Sequence, residues 1–172
     1  LHNWLPDAHA EGPTPVSAVL SGLLLNVAIY AVMRCKVLVE GSLQSSLPSN
    51  MLMGFGLLSV VLAALFLWRQ RDIKRLFAYS SIEHMGIVTF AFGMGGAVAN
   101  FAALLHMTVH SLTKSAIFFA VGHAAQKAGS QRIEDIRGLI TLNPTIGWGL
   151  MIGSLAILGM PPFGGFASEF LI

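Results

Sequence analysis

Residues 97–126 read AVANFAALLHMTVHSLTKSAIFFAVGHAAQ, an apolar stretch of bilayer-spanning length that nonetheless carries His106, His110 and Lys114. Successive spacings of four residues put these three side chains on one helical stripe, about 6 Å apart along the axis. A lysine near the bilayer centre costs roughly 2.5–3.5 kcal/mol on insertion scales, so an ionisable row at that depth points to a proton or ion path. Imidazole changes charge near neutral pH, which suits the row to passing protons. In a purely structural arrangement the histidines would cap backbone groups and the lysine would snorkel to an interface. The apolar residues 116–121 beyond Lys114 make snorkelling strained. A metal held by His106 and His110 would lack a third nearby ligand and the glutamate of a zincin motif, so no metal is expected.

Working outward, the 172 residues are 55% hydrophobic and only 10% charged, with a mean hydropathy of +0.72. An ordinary soluble domain carries about 25% charged residues, so the composition predicts an all-α, polytopic transmembrane bundle. The net charge of +2 and pI near 9.0 come from basic loops and do not imply nucleic acid. The single cysteine, Cys35, excludes an internal disulfide framework or a cysteine-held cluster and reads as an inert thiol at a helix end. The chain begins at Leu1 without an initiator methionine or signal peptide and stops a few residues into a new helical pattern. It is therefore expected to be a piece from the middle of a longer protein.

In chain order, residues 1–15 (LHNWLPDAHAEGPTP) read as an interfacial loop with Trp4 at headgroup depth. Asp7, His9 and Glu11 belong to it. Pro15 suits the first turn of a helix, and the predicted spans are about 15–34, 50–69, 73–94, 97–126 and 140–172. Residues 37–50 read as a connecting loop. The last span is expected to break at 161–165, because Pro161 and Pro162 among Gly159, Gly164 and Gly165 cannot continue a helical ladder. Transporters use such breaks at membrane depth for binding sites. Arg69, Arg71, Lys74, Arg75, Lys127, Arg132 and Arg137 fall on one face, against Arg34 and Lys36 on the other. The positive-inside rule makes the first face cytoplasmic.

Other titratable residues read less simply. Lys74 is either a cytoplasmic anchor or a member of the buried path. Glu83 and His84 are adjacent and point about 100° apart on a helix, so at most one faces the organising row. Glu169 follows the double-proline break and is either a paired or hydrated member of the path or a plainly solvated carboxylate. His123, near a helix end, reads as structural. No glycine-rich phosphate loop, nucleophile elbow or CxxC is present, so no redox cofactor, nucleotide or iron–sulfur cluster is expected.

The stretches LHNWLPDAHAEGPTPVSA, DIKRLFAYSSIEHMG, LLHMTVHSLTKSAIFFAVG and GMPPFGGFASEFLI resemble the antiporter-like subunits of respiratory complex I, of multisubunit sodium/proton antiporters and of membrane-bound hydrogenases. The wording HAEGPTP and SSIEHMG is closest to the component F branch of hydrogenase 4. The resemblance implies two inverted repeats with a broken helix in each and a chain of buried charges along the membrane midplane. This chain would be the second repeat. It implies that Lys74 belongs to the polar axis, that His106, His110 and Lys114 form its central row, and that Glu169 leads to the outward half-channel. Where relatives carry Lys or His on the first of these helices, residues 15–33 carry neither and offer Ser21 and Asn26, so waters would have to bridge that point.

The expected function is proton translocation through Lys74, Glu83 or His84, His106, His110, Lys114 and Glu169. Electron chemistry would be left to partner subunits, namely other membrane subunits and peripheral hydrogenase or dehydrogenase subunits. A sodium/proton antiporter subunit and a non-conducting structural subunit are the alternatives. The expected location is a bacterial or archaeal cytoplasmic membrane.

Overall fold

The structure, a computed structural model, describes residues 4–172. Among these the regular elements are helical, in the order α1 (Trp4–Glu11), α2 (Thr14–Val19), a π-helical turn (Leu20–Leu24), α3 (Leu25–Leu43), α4 (Leu47–Leu67), α5 (Ile73–Met94), α6 (Gly96–Ala128), α7 (Leu139–Leu142), α8 (Pro144–Ile157) and α9 (Gly164–Leu171). From α2 to α3 the chain is one continuous rod, Thr14–Leu43. This rod, α4 and α6 are each long and apolar enough to cross a membrane. At 1.5 Å per residue the 33-residue α6 extends about 50 Å, well beyond a hydrocarbon core of about 30 Å.

Several boundaries differ from the sequence reading. The stretch expected to be an interfacial loop forms α1, and His9 on it is fully buried, its ring centroid 4.9 Å from that of Phe118 on α6. Residues 37–43, read as loop, continue α3, and only residues 44–46 separate it from α4. Lys36 and Glu40 support that extra length as an i, i+4 pair at 3.9 Å. The last span is interrupted twice. Asn143 precedes Pro144 and is forced out of helical geometry (φ −149°, ψ 83°), which separates α7 from α8. The second break starts at Ile157, earlier than residue 161, because the ring of Pro161 would strike the carbonyl of a helical residue four positions back. Gly159 there adopts φ +63°.

Helix α5 starts at an Asp72 N-cap whose carboxylate accepts from the Arg75 backbone N–H at 3.0 Å. It is the most buried of the helices near the site, lying between α4 and α6. Glycines set its closest approach: a Cβ on Gly86 would lie 2.9 Å from the Gly56 carbonyl oxygen of α4. Small residues at a helix crossing let backbones approach where the hydrophobic effect gives no drive between spans. The outer face of α4 carries exposed Leu57, Leu58, Val61, Leu65 and Phe66, as a lipid-facing helix should. At the basic end, Ile73 N–H donates to the Gln131 carbonyl (3.0 Å) and Ile133 N–H to the Arg71 carbonyl (2.9 Å), tying the loop after α6 to the start of α5.

Candidate functional site

Helices α5 and α6 run antiparallel, and each lays a polar stripe on the other. On α6, His106, His110 and Lys114 are 2%, 1% and 0% exposed. Ile117, Phe118 and Val121 continue the same face as a buried apolar plug. On α5 the facing residues are Phe77, Ser81 and His84, one helical turn apart. Lys114 Nζ donates to the Phe77 carbonyl at 2.8 Å and lies 5.3 Å from the Phe77 ring centroid. That carbonyl and the negative face of the ring supply the partners a buried ammonium needs.

Two turns along, three imidazoles meet. His84 Nδ1 and His106 Nε2 share a hydrogen bond of 3.0 Å, and their rings stack with centroids 5.1 Å apart. His110 lies between this pair and Lys114, its centroid 5.5 Å from that of His84. Neither ring nitrogen of His110 has a hydrogen-bond partner among the described residues. On the far side, His106 Nδ1 is 2.9 Å from Ser168 Oγ on α9, and Ser168 Oγ is 2.9 Å from the Gly165 carbonyl. Both contacts are satisfied when the hydroxyl donates to Gly165 and accepts from His106 Nδ1–H. That tautomer leaves the Nε2 lone pair of His106 facing His84. Glu169 Oε1 is 3.7 Å from His84 Nδ1, and its side chain is 32% exposed. The carboxylate occupies the space beside Gly159, where any Cβ would collide with it. The broken helix therefore puts a carboxylate at one end of the histidine cluster.

The remaining expectations divide. Of the adjacent pair, His84 turns to the row, while Glu83 is half-buried with no hydrogen bond or ion pair among the described residues. Lys74 begins α5 one turn before Phe77, and its Nζ donates to the Gly12 carbonyl at 3.2 Å; no hydrogen bond joins it to Lys114 among the described residues. It lines a cavity of about 680 Å³ at the basic end of the bundle, with Thr14, His123, Gln126 and Gln131. The sequence reading did not single out Ser168, Ser81 or the carbonyls of Phe77 and Gly12. Ser168 carried a signal, as a polar neighbour of Glu169 inside the broken helix. Ser21 and Asn26 on the first long rod are tied in: Ser21 Oγ to Ser81 Oγ at 2.8 Å, and Asn26 Nδ2 to Ser111 Oγ at 2.9 Å. The π-helical turn sits there, where Ser111 of α6 also donates to the Gly22 carbonyl.

Apolar membrane-length helices, a span broken beside a carboxylate and a buried titratable row define a multi-pass α-helical membrane protein with a polar interior. The chain belongs to the NADH:quinone oxidoreductase/Mrp antiporter transmembrane family, whose match covers residues 1–172. It is 62% identical over 172 residues to a hydrogenase-4 component F homolog of Methylacidiphilum infernorum, covering 100% of this chain and 36% of that protein. It is 34% identical over 174 residues to NAD(P)H-quinone oxidoreductase chain 4 of Parasynechococcus marenigrum, covering 100% of this chain and 31% of that one. Among solved structures, a chain of the membrane-bound sulfane sulfur reductase, an archaeal respiratory membrane complex, superposes with a TM-score of 0.88 at 31% identity, over 98% of this chain and 34% of the other. The chain thus spans about a third of the length of the relatives it matches.

Proposed function

We propose that this chain is part of a proton-translocating, antiporter-like membrane subunit of a hydrogenase-4 or quinone-oxidoreductase type complex, and that it forms the second of two repeats. Protons move between the Lys74 cavity and Glu169 by way of Lys114, His110 and the His84–His106 pair. The observation that carries this reading is the direct hydrogen bond between two buried imidazoles on different helices, with a carboxylate at one end and a buried lysine at the other. Two neutral imidazoles that share one hydrogen bond can pass a proton by exchanging donor and acceptor roles. Neither ring nitrogen of His110 has a hydrogen-bond partner among the described residues, so its step requires a water, as does the step from Lys74 to Lys114. Charge arriving at one site alters the affinity of the next, which lets a neighbouring membrane subunit drive the row. Electron transfer belongs to peripheral hydrogenase or dehydrogenase subunits. The basic loops at residues 69–75 and 127–137 face the cytoplasm of a bacterium or archaeon.

Sodium/proton exchange is the competing reading, and the donor set speaks against sodium in this stretch. Hard cations take several oxygen ligands, whereas the row from Lys114 to the His84–His106 pair offers an ammonium and imidazole nitrogens, with a side-chain carboxylate only at its Glu169 end. The test is Glu169→Gln in the intact complex, which keeps the side-chain volume and removes the titratable group beside His84. Proton pumping into vesicles should fall at least tenfold while the complex still assembles. Normal pumping, or sodium-dependent exchange without any electron donor, would refute the reading.

A further inference from the structure

We propose that His84, His106 and Glu169 form a binding site for a first-row transition-metal dication of the zinc type, at the junction of α5, α6 and α9. The sequence reading discounted a metal because His106 and His110 had no third ligand. The structure selects a different set, one residue from each of the helices α5, α6 and α9. One donor atom from each of the three lies within 4.8 Å of the others. His84 Nδ1 is 3.0 Å from His106 Nε2 and 3.7 Å from Glu169 Oε1. A tetrahedral ion with bonds of about 2.0–2.1 Å holds its donors about 3.3–3.4 Å apart. Those two edges bracket that spacing and need adjustments of a few tenths of an ångström, while the third, between His106 and Glu169, is held only within the 4.8 Å limit and has to settle to the same spacing when the ion binds.

The chemistry of the set agrees with its geometry. Two imidazoles and one carboxylate, with a fourth position open to water, make a recurrent zinc ligand set, and magnesium or calcium would prefer oxygen donors. Ser168 supplies the outer support such sites need: it fixes His106 through Nδ1 and leaves the Nε2 lone pair directed at the site. His84 Nδ1 carries the proton of the shared hydrogen bond, and the ion would take that proton's place. Glu169, the most exposed of the three, is the ligand an incoming ion meets first.

Occupancy would also stop proton transfer between the two imidazoles. That consequence rests on the proton-path reading, whereas binding itself does not. The test uses the full-length protein in its complex, stripped of metal and titrated with Co²⁺. The visible bands of a four-coordinate N/O site should saturate at one equivalent per chain and vanish on adding Zn²⁺, but not Mg²⁺. The bands should be lost in His84→Ala and in the isosteric Glu169→Gln, and kept in His123→Ala, which removes an exposed imidazole. Absence of these bands in the parent protein, or their survival in both ligand variants, would overturn the site. Cobalt bound as described with undiminished proton transfer would keep the site and refute the path through these residues.

Discussion

Lys114 is the strictest test of the proton row. Lys114→Met preserves length and apolar stem at a position with no solvent exposure, and removes the donor to the Phe77 carbonyl. Because α5 and α6 are antiparallel, with residue 77 level with residue 114, His110 and Lys74 are about seven residues apart along the axis, or roughly 10 Å. Lys114 divides that distance into steps of about 6 and 4.5 Å. Without it, the excess proton must cross the whole interval with no titratable side chain to receive it. Taking the penalty as that of a bare charge in the membrane interior, about 2.5–3.5 kcal/mol, the rate falls roughly 70- to 400-fold at 1.36 kcal/mol per decade.

Lys114→Arg separates two roles of the ammonium. Arginine keeps the positive charge but does not release its proton, so a relay stops while a purely electrostatic support survives. The assay is acidification of vesicles containing the intact complex, read by a pH-sensitive dye, with electron transfer and subunit assembly measured in parallel. Both variants should assemble, and both should lose pumping. Pumping within about twofold of the parent in Lys114→Met would refute the relay, since a barrier of this size cannot hide in so small a change. Full pumping in Lys114→Arg alone would reduce Lys114 to a fixed charge.

The other expectations concern positioning and packing. Ser168→Ala leaves His106 Nδ1 without its partner in a buried site and should cost about 1–3 kcal/mol, seen as a lower unfolding midpoint; unchanged stability would show that the hydroxyl does not hold the ring. Gly86→Val places a branched side chain where even a Cβ would lie 2.9 Å from the Gly56 carbonyl, and should cost about 1–3 kcal/mol or more and lower the yield of assembled complex. A fully assembling, equally stable variant would mean that α4 and α5 are not closely packed. Arg75→Ala breaks an exposed ion pair with Asp7 at 3.0 Å and should change stability by less than about 1 kcal/mol, measured in the same melts. A larger loss would indicate that α1 is anchored chiefly by that pair.

Sequence alone determined the membrane class, because a chain with 10% charge and long apolar runs has no other stable environment. It also determined the stripe of His106, His110 and Lys114, because the helical period is a local property of the backbone. The breaking of the last span was equally legible, since two adjacent prolines act on their own helix. Helix α1 was not, because it depends on packing that its residues do not announce locally, whereas the extension of α3 carried a local signal, the i, i+4 spacing of Lys36 and Glu40, that the Ser- and Gly-containing run obscured. Polar residues in a stretch such as WLPDAHAE read as loop until Phe118 of α6 is present to bury His9. The composition of the site was decided by the tertiary structure. Which of Glu83 and His84 faces α6 is a matter of rotation about the α5 axis, and the glycine-mediated packing against α4 helps to set that rotation. The contacts of His106 with His84 and Ser168 are separated by 22 and 62 residues in the chain, and only the crossing of α5, α6 and α9 brings them together.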